Sequence, residues 1–330
     1  MRPAPVPHLN TTCAADANVA CVSRVIPDIE VKNMRTANHR YLLHTALSVI
    51  LLSLVLPVPV ISADWVNQWR APDPQSGVRL QSALAITVDP ERERFYLADG
   101  IAGTLHAFDL NGQHISTFNG EGDLGVPISL TLQHSGRFLI VDRAGNALLR
   151  VIPEEERLER FPFPLKGQGA MLPQKVVWHP GAGVLVLDRL SGQVLNLDDN
   201  LKVEERYGRA CADVVSADGS VWILQEDKTI LQINPQKGQS ARKIKLDAVL
   251  ARPVALERNP EGQFLIADRA LGQVLVFSPE GRHLYSIGAK GRGVGRFSSP
   301  RQMVSLPSAT HAGAMLVLDE VNRCVDMFVR

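Results

Sequence analysis

Five aspartates share one place in a pattern that recurs along this 330-residue chain. Asp99, Asp142, Asp188, Asp268 and Asp319 each end an apolar run and open a turn, and Gln225 holds a sixth such place. A carboxylate there can accept backbone N–H groups two or three residues on, a structural use of aspartate at turns. A ring of these carboxylates would also suit a cation, but Gln225 interrupts the ring. Arginine shares a place too. Arg143, Arg189 and Arg269 directly follow the turn-opening aspartate, and Lys166, Arg252, Arg292, Arg296 and Arg301 lie just before or within the next apolar strand. Such cations either form weak solvated pairs with the neighbouring aspartates or make a collar that docks an anionic partner.

The elements that must position these residues are strand hairpins. The stretch FLIADRALGQVLVF, residues 264–277, reads as a strand, a tight turn and a strand. Its runs are too short for an ordinary helix and apolar on both faces, so both faces must be covered. Related stretches begin at Phe95, Phe138, Val184, Val221 and Met315. The turn-opening residues are 43, 46, 37, 43 and 51 residues apart, a period that indicates a propeller. The expected fold is all-β: a six-bladed β-propeller of four-stranded antiparallel blades. Each blade runs from an inner strand through the hairpin to an outer strand. Unit four is degenerate, with a turn one residue shorter. Unit six stops at Arg330 without a fourth strand, whereas DWVNQWR, residues 64–70, is a strand without a unit. A ring needs its open edges closed, so this N-terminal strand is expected to complete the last blade, with Trp69 placed as Phe118 and Ile287 are in their own blades.

Aligning the inner strands on their prolines nominates the residues that line the channel. One layer is Ala85, Ser129, Lys175, Ala255 and Gln302; the next is Thr87, Thr131, Val177, Glu257 and Val304. Lys175 and Glu257 are the charged members, an expected ion pair. The histidines share no spacing; His134 and His179 sit beside turn residues. Cys211 and Cys324 lie two units apart, too far to bridge, and read as buried free thiols.

Residues 41–61 form an apolar run preceded by Arg35, His39 and Arg40 and followed by Ser62-Ala63, which describes a secretory signal peptide. We expect 1–33 to be an upstream extension from a misplaced start, 34–63 the signal with cleavage after Ala63, and 64–330 a single propeller domain, periplasmic or secreted. An uncleaved segment is long enough to act as a signal anchor, the one route to the membrane. The part from residue 64 on carries 30 Lys and Arg against 31 Asp and Glu. Nucleic-acid-binding domains usually carry a positive excess, so nucleic acid is not an expected partner.

The stretch GRHLYSIGAKGRGVGRFSSPRQMVS, followed by MLVLDEVNRCVDMFV, resembles the NHL repeat of six-bladed propellers, in the wider class of TolB-like and SMP-30-like propellers. The residues that carry the resemblance are Gly291, Gly293, Gly295, Phe297, Pro300, Asp319, Asn322 and Arg323. The resemblance is strong in units five and six, fair in one to three and weak in four. It implies six blades, in agreement with the count. It also raises an alternative function, because hydrolase, lactonase and lyase propellers of this class hold calcium or zinc at the axis with several carboxylate, Asn or His ligands. Such cations need about four to six or more ligands, and these layers supply Glu257 and Lys175. The expected function is therefore a monomeric, non-catalytic binding or scaffold module without a cofactor. It would dock a protein or anionic glycan on its loop face through Arg143, Arg189, Arg269, Arg301, Lys175 and Glu257. The alternative is a metal-dependent hydrolase, lactonase or lyase.

Overall fold

A computed structural model describes residues 65–133, 136–152, 157–165, 168–234, 239–306 and 313–330. The expected extension and signal segment lie outside the described residues. The first strand is β1 (Val66–Ala71). Blade one holds β2 (Ala83–Asp89), β3 (Arg94–Asp99), β4 (Thr104–Asp109) and β5 (His114–Phe118). Blade two holds β6 (Pro127–Leu132), β7 (Phe138–Asp142), β8 (Ala147–Ile152) and β9 (Arg157–Pro162). Blade three holds β10 (Pro173–His179), β11 (Gly183–Asp188), β12 (Gln193–Leu197) and β13 (Val203–Tyr207). Blade four holds β14 (Cys211–Ala217), β15 (Ser220–Gln225), β16 (Thr229–Asn234) and β17 (Gln239–Lys245). Blade five holds β18 (Pro253–Arg258), β19 (Phe264–Asp268), β20 (Gln273–Phe277) and β21 (His283–Ile287). A short parallel pair, β22 (Ala289–Lys290) and β23 (Arg296–Phe297), follows. Blade six holds β24 (Pro300–Ser305), β25 (Met315–Asp319) and β26 (Cys324–Val329). Its fourth strand is β1, paired antiparallel to β26. The six expected blades and the N-terminal closure are both present.

Both faces of each hairpin are apolar because each blade packs on two neighbours. Alternate residues of β19 go opposite ways: Phe264 and Ile266 join Trp222 and Leu224 of blade four, while Leu265 and Ala267 join Met315 and Val317 of blade six. The period of two in a strand produces this division. The seam between blades six and one is packed like the rest: Leu316, Leu318 and Met327 meet Ile86, Phe95 and Phe108.

The closing strand differs in register from expectation. Phe118 and Ile287 pair with Leu105 and Val274, and the equivalent residue of β26 is Val325. Its partner is Ala71, not Trp69. Trp69 lies opposite Met327, beside a bulge between Asn67 and Trp69, and its ring stacks on Phe95 at 5.8 Å. The large ring fits there because Gly112 has no side chain: a Cβ on it would come within 3.0 Å of the indole.

Candidate functional site

The turn-opening aspartates do more than shape their own turns. Asp268 accepts the N–H groups of Ala270 and Leu271 in its turn (both 3.0 Å). It also accepts those of Ala251 (2.7 Å) and Arg252 (2.9 Å) in the loop that leads to β18. Asp99 does the same with Ile101, Ala102, Gln81 and Ser82, and Asp319 with Val321, Asn322, Ser298 and Ser299. Each buried carboxylate therefore ties the hairpin turn to the incoming loop. Gln225 instead donates its side-chain N–H to the Arg209 carbonyl at 2.7 Å.

The next residue is held equally firmly. In every blade its backbone N–H donates to a carbonyl of the incoming loop: Gly100 to Ser82, Arg143 to Val126, Arg189 to Leu172, Glu226 to Ala210, Arg269 to Arg252 and Glu320 to Ser299. These six residues form a ring around the mouth of the channel. Gly100 leaves a gap in it, since a Cβ there would stand 2.2 Å from Leu84.

Within the ring lies a cavity of about 540 Å³, a volume ordinary for a ligand site. Its rim carries Arg143, Arg189, Arg252, Arg269 and Glu226, its wall includes Leu84, Ile128, Val254 and Arg301, and its floor is Ser129, Lys175, Asp213 and Gln302. The structure thus gathers Arg143, Arg189, Arg269, Arg301 and Lys175 at one site. It adds Arg252, which the collar pattern had marked. Lys166 lies outside the described residues, and neither Arg292 nor Arg296 lines the cavity.

Expected and observed ion pairs differ. Lys175 bonds Asp213, not Glu257, with Nζ at 2.8 and 2.9 Å from the two carboxylate oxygens. Asp213 occupies the place in β14 that Lys175 has in β10, two residues beyond the one opposite the turn opener. Cys211 replaces the aligning proline in unit four, which is why proline alignment missed Asp213. This floor layer also sews blades together. Ser129 accepts Val176 N–H of the next blade at 3.1 Å, Asp213 accepts Leu256 N–H at 2.8 Å, and Gln302 exchanges two bonds with Ile86. Inner strands leave edge N–H groups unpaired, and these side chains satisfy them.

The collar is only partly neutralised. Arg269 and Arg301 share Glu320, at 2.7 and 3.2 Å. Arg301 also donates to the Leu84 carbonyl across the seam. Burial is the main cause that lowers its pKa; Glu320 opposes that shift, and the cations Arg269 and Arg143 add to it. Arg269 Nε is buried without a hydrogen-bond partner. Among the described residues, Arg143, Arg189 and Arg252 form no ion pair within 4.0 Å. Their adjacent aspartates are taken up by backbone N–H groups.

Glu257 lies deeper along the channel wall and does not line the cavity. Burial pushes its carboxyl up to about 8, against the pull of Lys175 and the Ser305 backbone N–H. The consequence for stability has a definite sign. Between its ordinary value of 4.5 and about 8, the folded protein holds a proton that the unfolded chain has released. Stability from this group is therefore complete below about 4.5, falls as pH rises through the window and levels off above about 8. Urea unfolding between pH 5 and pH 9 should show Glu257→Gln losing this slope, on the order of a few kcal/mol. Parallel curves for the two proteins would contradict it.

Among the described residues, no histidine or cysteine lines the cavity. Cys211 and Cys324 are buried free thiols, pushed up by burial to about 11 and about 12, so neither is a thiolate nucleophile at neutral pH. His179 Nδ1 accepts two turn N–H groups, from Gly181 and Ala182. What the arrangement offers chemically is a rigid set of N–H donors and positive charge facing solvent.

No family model matches the chain, and no curated protein matches it in sequence. Solved structures do. A streptogramin B lyase shares 11% identity at a TM-score of 0.56, covering 77% of this chain and 85% of that one. A catalytically inactive virginiamycin B lyase from Staphylococcus aureus, solved with quinupristin, shares 8% at 0.56, covering 75% and 80%. An auxiliary nutrient binding protein from Bacteroides thetaiotaomicron shares 15% at 0.57, covering 76% and 69%. At these identities the likeness is one of fold.

Proposed function

We propose that the chain is an exported, non-catalytic binding module that docks an anionic partner, a protein segment or a glycan, on the mouth of its propeller channel. One observation carries this reading: five arginines line a single cavity, and Arg143, Arg189 and Arg252 on its rim have no carboxylate partner among the described residues. Uncompensated positive charge around a concave mouth attracts and orients anions. The near-balanced overall charge speaks against nucleic acid. Assignment to the NHL class and delivery to the periplasm or medium, with cleavage after Ala63, belong to the same proposal; they rest on the repeat residues and the apolar leader. The hydrolase or lyase alternative has less to support it, since among the described residues no three His, Cys, Asp or Glu side chains gather as a calcium or zinc site.

The test is charge reversal. Arg143→Glu combined with Arg189→Glu should weaken binding of polyglutamate and of a sulfated oligosaccharide by at least about tenfold in isothermal titration. Binding to the wild type should weaken as salt is raised. Both residues are exposed, so the melting temperature should hold. Equal affinity in the variant and the wild type would remove the proposal.

A further inference from the structure

The ring of residues after the turn openers has a second ring outside it. One position further along, at the tips of the same turns, stand Ile101, Ala144, Leu190, Asp227, Ala270 and Val321. Ile101 is 67% exposed, Leu190 60% and Val321 51%. Only blade four carries a charge there. Leu172, Val249 and Val294 are likewise exposed, in loops that lead to inner strands and so open on the same face. Six of the eight large hydrophobic residues exposed among the described residues thus lie in turns and loops of this face; the other two, Val66 and Ile115, lie on outer strands. The opposite face differs. Its turn tips between first and second strands include Glu91, Glu93, Asp218 and Glu261, all exposed.

Folding does not require this asymmetry. A turn tip makes no core contact, and charged residues stand at the equivalent places of blades one, four and five on the far side. Large apolar side chains gathered on one exposed face mark a surface that another macromolecule covers. The chemistry of the occupant follows from the two rings together. Positive charge at the centre calls for carboxylates, and aliphatic tips around it call for aliphatic or aromatic side chains that exclude water from the central contacts. A glycan would find no aromatic ring lining the cavity on which to stack.

We infer that the partner is a protein whose short acidic segment enters the mouth, while apolar residues flanking that segment cover Ile101, Leu172, Leu190 and Val321. This inference rests on the proposed anion-docking function and names its partner.

Fluorescence anisotropy on the full propeller tests it. The probe is a labelled peptide with two adjacent glutamates flanked on each side by leucine and phenylalanine. Replacing the glutamates with glutamine, or the flanks with serine, should each weaken binding about tenfold. Leu190→Ser combined with Val321→Ser should weaken the peptide about tenfold and leave polyglutamate binding unchanged, whereas Arg189→Glu should weaken both. Wild-type affinity for the peptide in the Leu190 and Val321 variant would overturn the protein rim and leave the anion site standing. Tighter binding of a sulfated oligosaccharide than of any peptide would do the same in favour of a glycan. Indifference of every probe to Arg189→Glu would fail the underlying function, and no binding of the wild type to any probe would overturn both.

Discussion

Arg70→Ala should destabilise the propeller by about 3–5 kcal/mol, the usual loss when one member of a buried ion pair is removed. Arg70 Nε and Nη2 donate to the two oxygens of Asp326, at 2.8 and 2.7 Å. Asp326 is fully buried, at 0% exposure. The same guanidinium donates to the carbonyls of Arg292 and Gly293, both at 2.9 Å. One side chain therefore clasps β1, β26 and the loop before blade six, where the ring closes. Its pKa is raised chiefly by the hydrogen bond to Asp326, the same favourable pairing seen from the other side. Truncation leaves the buried Asp326 carboxylate without its cation. Replacing both members with apolar residues, Arg70→Met and Asp326→Leu, should restore most of the loss, because no isolated charge remains. Equilibrium urea unfolding of the three variants measures this. A loss under about 1 kcal/mol for Arg70→Ala, the scale of a surface pair, would mean that β1 does not hold the ring shut.

The second large effect lies at the turn openers, where the protein supplies its own control. Asp268→Ala strips the partner from four backbone N–H groups, two in the turn and two in the incoming loop. Asp268 is fully buried, and an unsatisfied buried donor costs roughly 1–3 kcal/mol. A total loss of at least about 3 kcal/mol is expected, allowing for partial relaxation toward water. Asp268→Asn keeps one acceptor oxygen and should fall between the two. Gln225→Ala, at the equivalent place in blade four, loses one donated bond to a carbonyl and should cost about 1 kcal/mol. Denaturant midpoints at constant slope decide the order. Equal losses at positions 225 and 268 would show that the aspartate's bonds to the incoming loop carry no stability.

The comparison of these two positions also shows why the blade pattern was legible and part of the site was not. Asp268 with its short turn is a local device, visible as a residue type at a fixed place between two apolar runs. That the same carboxylate grips the N–H groups of Ala251 and Arg252 depends on residues 16 and 17 positions earlier, brought back by the blade itself. Lys175 was recognised as a channel residue because Pro173 aligned its strand. Its partner Asp213 was missed because Cys211 stands where that proline should be, although Gln225 and the shorter turn marked the unit. The observed pairing, Cys211 opposite Gln225 as Pro173 is opposite Asp188, supplies the register that composition could not. Trp69 lies in the closing blade, two residues from its expected place. The pairing of Ala71 with Val325 and the room beside Gly112 set its position, and neither can be counted from the strand alone.

The primary structure by itself determined the number of blades, the nature of their turns and the need for an N-terminal strand to close them. Those are matters of period and local backbone chemistry, and both repeat within some fifty residues. Tertiary structure alone decided which charges meet. Lys175 reaches Asp213 across neighbouring blades, Glu320 lies between Arg269 and Arg301, and Arg143, Arg189 and Arg252 are left facing the cavity. The physical reason is that Coulomb energy and desolvation depend on distances through space around a closed ring, and residues that face one another over the channel come from blades far apart in the chain.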